Sequence, residues 1–302
     1  MNVENLLRET LADMADEQVP PPPARFLPPH RPAHRRGAAL AAAVTVVALA
    51  VGGTIAVRTL SPEAGRPQAP VAARPEPERT RKVTINEGWR VSLLFDNLSR
   101  VTGEPAESFA RAAEDGRALG LPPYAKGRLE GFAHPGTYRF ADSATPAEIL
   151  TAMVARFRET ADELGLASRR APLDVVIIAS LVQAESPTEA DMPKVARVIH
   201  NRLARGMLLH LDSTVLYGLG EYRGNVTVED TKLRSPYNTY RHRGLPPGPI
   251  SNPGEAALKA ALHPAAGSWL YFVATDPKRG TLEFATSGKE YAELVERARQ
   301  SG

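Results

Sequence analysis

Residues 173–187 read LDVVIIASLVQAESP. The run Val175–Val182 is apolar on nearly every side, which predicts a core helix over 173–185 rather than an amphipathic surface helix. Pro187 ends it, and Gln183, Glu185 and Ser186 gather at its last turn. A carboxyl group there meets the negative end of the helix dipole and greasy neighbours, and both favour the protonated form. A carboxylic acid that keeps its proton near neutral pH is the usual donor for breaking a glycosidic bond. Position alone favours a surface glutamate near a helix end, so Glu185 needs support from elsewhere in the chain.

That support comes from the C-terminal side. A helix over 192–205 stops at Gly206. After it, His210–Gly218, Ser235–Tyr240 and Gly244–Ile250 are too rich in Tyr, Asn, Thr and Pro to be plain core. They read as cleft walls: tyrosine faces stack on sugar rings, Asn, Thr and Asp bond to hydroxyl and N-acetyl groups, and prolines hold the loops at low entropic cost. Asp212 reads as a loop or hydroxyl-binding residue and Glu229 as solvent-exposed.

On the N-terminal side, Ile149, Leu150, Met153, Val154 and Phe157 fall at helical spacing, with Thr145 as the N-cap and Pro146 in the first turn. This helix opens a larger domain over 146–302. Upstream, Val83 and Ile85 predict a strand, and Val91–Leu98 a helix after the turn at Asn86–Gly88. A second helix follows over 106–119, then strand and turn over 129–140. Residues 82–145 thus form a small α+β module.

Farther out, residues 37–57 (GAALAAAVTVVALAVGGTIAV) are uncharged and flanked by Arg35, Arg36 and Arg58. At about 1.5 Å per residue the run can cross about 30 Å of hydrocarbon. It reads as a retained transmembrane helix, since some thirty residues of tail precede it. Arg25, Arg31, Arg35 and Arg36 keep the tail, residues 1–36, cytoplasmic, and the C-terminal mass extracytoplasmic at the cell membrane. Residues 58–81 are a Pro-rich spacer. The net charge of +3 is too weak and dispersed for a nucleic-acid partner, and the absence of cysteine excludes disulfides and thiolate chemistry.

In this order the segments LEGFAHPGTY (129–138), ASLVQAES (179–186), VIHNRLARGM (198–207), DSTVLYG (212–218), YNTY (237–240), GLPPGPISNPG (244–254) and LYFVA (270–274) resemble the YceG-like, or MltG-type, endolytic murein transglycosylases. The resemblance runs from Val83 to the C-terminus. It implies an α+β fold with a single transmembrane helix, a LysM-like module and a YceG-like catalytic domain. It also implies action on nascent peptidoglycan glycan strands beside the cytoplasmic membrane, with cell-wall synthases as partners and no cofactor. The family's catalytic glutamate falls on Glu185. The candidate substrate contacts are Asn201, His210, Asp212, Thr214, Tyr217, Tyr237, Asn238, Thr239 and Tyr240.

The implied reaction is not hydrolysis. One carboxyl protonates the leaving oxygen and then takes the proton of the C6 hydroxyl of the same N-acetylmuramic acid, closing a 1,6-anhydro ring. Four positions depart from the family pattern: Gln183 for a second Glu, His210 for Gln, Gly136 for Asp, and Leu282 for the His of a His-x-Phe. They motivate a rival reading, a catalytically silent peptidoglycan-binding scaffold for synthases. A hydrolase yielding reducing ends is a third. His200, His210, His242 and His263 lack the spacing of a metal site, and Ser180, Ser186 and Ser213 lack a nucleophile elbow.

Overall fold

The computed structural model describes residues 79–220, 226–276 and 281–301, which belong to one compact unit. The tail, the 37–57 run and most of the spacer lie outside them; among the described residues no helix is long and apolar enough to cross a membrane. The first strand, β1 (Thr80–Ile85), pairs antiparallel with β2 (Gly136–Ala141), Val83 opposite Tyr138. Alternation sends Val83, Ile85 and Tyr138 inward. They meet Leu94 and Leu98 of α1 (Val91–Thr102) and Phe109 of α2 (Ala106–Glu114). The second helix is shorter than its sequence suggests: Asp115 leaves helical geometry, and its carboxylate accepts the Ala118 N–H at 2.9 Å, a local bond that competes with another turn.

The next helix, α3 (Pro146–Glu163), begins with the capping box that Thr145 and Glu148 spell out. Its first half supplies Ile149, Leu150, Met153 and Val154 to the core beneath β1 and β2. Its second half supplies Phe157 and Ala161 to the helical core, so one helix is shared by two apolar clusters. At the centre of the second cluster lies α4 (Pro172–Glu185), buried from Val176 to Val182, as its unbroken apolar run predicts. Around it stand α5 (Met192–Ala204), α6 (Asp212–Leu219) and α7 (Glu255–Leu262). A hairpin of β3 (Tyr271–Asp276) and β4 (Thr281–Ala285) then carries α8 (Gly288–Ser301) on Val273, Ala285, Tyr291, Leu294 and Val295.

Polar bonds, not only apolar contacts, join the first module to the helices. Asn252, 1% exposed, accepts the N–H groups of Gly131 and Ala133 on Oδ1, both at 3.0 Å, and donates from Nδ2 to the Trp89 carbonyl at 2.9 Å. Its own backbone N–H goes to Trp89 and its carbonyl receives Gly88 N–H. Beside it, Gln183 Oε1 accepts Gly254 N–H at 2.9 Å. Gly131, at φ +89, touches Pro249 so closely that a Cβ would overlap the proline ring. Asn252→Ala leaves the Gly131 and Ala133 N–H groups without their acceptor in the interior, while the Trp89 carbonyl keeps the backbone N–H of residue 252, and is expected to cost about 3 kcal/mol in a urea unfolding titration of the full chain.

Candidate active site

Glu185 is the last residue of α4; Ser186 turns extended after it while its N–H still reaches the Val182 carbonyl at 2.9 Å. The side chain is 7% exposed, not an open-surface glutamate. Its electrostatic neighbour is Tyr240, whose hydroxyl donates to Asp212 Oδ1 at 2.6 Å. Burial first, then the Asp212 carboxylate, then Glu185, push the Tyr240 hydroxyl far above the usual phenol range, so it stays a neutral donor. Asp212 is not in a loop as its sequence suggests. It is the first residue of α6, where a carboxylate suits the positive end of the helix dipole.

His210 stacks on Tyr240, ring centroids 4.8 Å apart and 17° from parallel. Its backbone sits at φ +49, held by a bond from its N–H to the Thr239 carbonyl. Burial and the nearby Arg202 guanidinium lower its pKa to about 4, which leaves the ring uncharged at neutral pH. Arg202 itself is buried and donates to the carbonyls of Leu208, Leu209 and Leu270, fixing the turn that presents His210.

Three expected sugar contacts take a different place. Thr214, Asn238 and Thr239 are 0–2% exposed and bonded within the protein. The Thr214 hydroxyl donates to the Leu211 carbonyl at 2.6 Å, so the Thr239 hydroxyl supplies the hydrogen between the two threonines and accepts from Leu211 N–H. Asn238 gives its amide hydrogens to Thr231 and Leu233 and accepts from Tyr240 N–H. These residues frame the site instead of lining it, because no solvent-facing surface is left to them. Asn201 likewise donates to the Gly267 and Trp269 carbonyls and holds the approach to β3.

Tyr217 and Tyr237, both partly exposed, meet at 4.7 Å with rings tilted by 51°. The Arg90 guanidinium lies 5.1 Å from the Tyr217 ring centre, and the Tyr217 hydroxyl donates to Glu130 Oε2 at 3.4 Å. Glu130 and Arg90 were not legible as site residues: the partners of Glu130 lie 39 and 87 positions away, and the one local signal is a carboxylate set between Leu129 and Phe132. Burial raises Glu130 to about 7, with the Val91 N–H, Arg90 and Tyr217 holding it down in part. Among the described residues no cluster of His, Asp and Glu is disposed to hold a metal ion. Two carboxyls are enclosed, Glu185 and Glu130: beside the first stands a neutral phenol bound to the Asp212 carboxylate, beside the second an aromatic pair, groups suited to proton transfer and to stacking on a ring.

A model of the YceG-like family matches residues 63–297. The chain is 37% identical to the endolytic murein transglycosylase of Bacillus subtilis over 173 residues, 56% of this chain and 48% of that one. It is 28% identical to the endolytic murein transglycosylase of Streptococcus pneumoniae over 253 residues, 74% of this chain and 44% of that one. It thus spans about half the length of these relatives. A crystal structure of a YceG-like protein from Listeria monocytogenes superposes with a TM-score of 0.61 at 30% identity, covering 71% of this chain and 76% of that one.

The raised Glu130 fixes a sign for stability. Between its ordinary 4.5 and about 7 the folded chain keeps a proton that the unfolded chain releases. Its contribution is therefore complete below pH 4.5 and lost as pH rises through 7. Glu130→Gln removes that loss, so its stability relative to wild type is expected to climb across this window by on the order of 2 kcal/mol, discounted for residual solvent, in urea titrations at each pH.

Proposed function

The chain belongs to the YceG-like family, and we propose that it is an endolytic peptidoglycan lytic transglycosylase with Glu185 as acid and then base. The observation that carries this reading is an enclosed Glu185 at the end of an apolar helix, with Tyr240 and Asp212 beside it. The substrate is the glycan strand of nascent peptidoglycan, cut at the linkage between N-acetylmuramic acid and N-acetylglucosamine. Glu185 gives its proton to the leaving glycosidic oxygen as the bond to C1 breaks. The carboxylate so formed takes the proton of the C6 hydroxyl, and O6 closes on C1. No water is consumed, Glu185 regains its proton, and the products are a new N-acetylglucosamine hydroxyl and a 1,6-anhydro end.

Tyr217 and Tyr237 offer faces for sugar rings, while Asp212, His210 and Tyr240 stand near the acid as hydroxyl partners. Residues 82–145 act as a LysM-like module that helps hold the strand. Residues 37–57 anchor the chain in the cytoplasmic membrane with the catalytic part outside the cytoplasm, next to the cell-wall synthases whose product it cuts.

The scaffold alternative rested on departures from the family pattern, and packing accounts for two of them. Gln183 is occupied with Gly254 N–H, and Leu282 is 8% exposed within the helical core. Both side chains are taken up by packing, and Glu185 itself is present and enclosed, so the enzyme reading is favoured. Glu185→Gln in the full chain is expected to lower the release of anhydro-muramic ends from purified sacculi by at least about a thousandfold, with the melting temperature little changed. Mass spectrometry of the soluble products checks it: undiminished yield defeats the assignment, and products heavier by one water point to hydrolysis.

A further inference from the structure

Glu130 takes no part in the proton transfers above, yet it joins the first module to the tyrosine pair Tyr217 and Tyr237. Both of its carboxylate oxygens lie 3.2 Å from the N–H of Val91, the first residue of α1. That helix start has no side-chain cap of its own at Arg90, so Glu130 satisfies an otherwise orphan donor from 39 positions away. The same carboxylate receives the Tyr217 hydroxyl at 3.4 Å. Arg90 completes the connection: its guanidinium approaches the Tyr217 ring and donates through Nη1 to the Leu216 carbonyl at 3.2 Å.

Resting on the function proposed above, we propose that Glu130 is a positioning residue for glycan binding, which fixes the Tyr217 ring by tying its hydroxyl to the start of α1. Tyr217 is then held at three points: its hydroxyl by Glu130, its ring by Arg90, and its tilt by Tyr237. A ring immobilised before substrate arrives loses little freedom on stacking against a pyranose, and that saving belongs to binding rather than to the chemical step. A cap for Val91 alone calls for any acceptor; an acceptor that also reaches across to Tyr217 links α1 and α6 in one side chain.

The test uses the full chain, uncrosslinked peptidoglycan glycan strands, and the variants Glu130→Ala, Glu130→Gln, Tyr217→Phe and the Ala/Phe double. The rate of forming anhydro-muramic ends is expected to show KM raised about tenfold in Glu130→Ala and in Tyr217→Phe, with kcat within about twofold. The double variant is expected to be no worse than either single one, because both remove the same contact, and Glu130→Gln, which can still bond to both partners, stays near wild type. In a Glu185→Gln background the dissociation constant for the strands should move by the same factor. An unchanged KM in Tyr217→Phe, or additive effects in the double variant, overturns the proposal, and so does a lowered melting temperature in Glu130→Ala with no change in KM. If Glu130→Ala does not fold, Tyr217→Phe and Glu130→Gln decide it alone. Full turnover by Glu185→Gln would instead defeat the enzymatic reading, whereas a silent Glu185→Gln with unmoved KM in the other variants defeats only the role of Glu130.

Discussion

The side chain of Asn252 is the constraint on which the rest depends. Three hydrogen bonds from one amide reach Gly131, Ala133 and Trp89, and its own backbone adds bonds to Gly88 and Trp89. Buried amide groups of this kind contribute modestly when paired and are costly when orphaned, so the seam has one permitted register. With Asn252 in place, the segment carrying Glu130 lies against the start of α1, and the proline-rich 244–250 stretch lies along α4, where Ile250 N–H finds the Ser180 hydroxyl at 3.1 Å. A shift of that loop would move Pro249 off Gly131 and Gln183 off Gly254 together.

Local pattern carried the reading of some elements and not of others. The run 175–182 announces a buried helix because its apolar character needs no partner to be recognised, and Thr145 with Glu148 announces a cap because both halves lie three residues apart. By contrast, α6 looks like a loop: Asp, Ser and Thr open it, and what holds it is Thr214 meeting Thr239, 25 positions away. The same polarity misled the reading of the site. Thr214, Asn238 and Thr239 read as sugar ligands because a sequence displays chemistry and not exposure, and in the fold their hydrogen-bonding capacity is spent inside. The enclosure of Glu185 is legible from its place at the end of a greasy helix. Glu130 was not, since only tertiary contacts distinguish it from a surface acid.

Placement of the two carboxylates near Tyr240 follows from helix ends rather than from loops. Glu185 closes α4 and Asp212 opens α6, and rigid helices hold such groups more precisely than loops do. Near both, the Tyr240 phenol is half-buried, neutral and already bonded to Asp212, with the His210 ring stacked on it as a second uncharged plane. The cation beneath, Arg202, is engaged with backbone carbonyls, so its charge acts on His210 through space. The neighbourhood therefore contains polar groups that orient without titrating near neutral pH.

That economy matters for the proposed chemistry. An inverting hydrolase needs a second carboxylate to activate water, and a retaining one needs a second carboxylate as nucleophile. A sugar whose own C6 hydroxyl attacks needs neither, because the nucleophile is covalently attached and the acid that has just lost its proton is the nearest base. Asp212 is already committed to the Tyr240 hydroxyl at 2.6 Å, a bond that suits it to orienting a phenol better than to receiving a proton from substrate. With Asp212 tied to the Tyr240 hydroxyl, Glu130 tied to Val91 and Tyr217, and Gln183 turned to the backbone, the proposed reaction asks only that Glu185 give a proton and take one back.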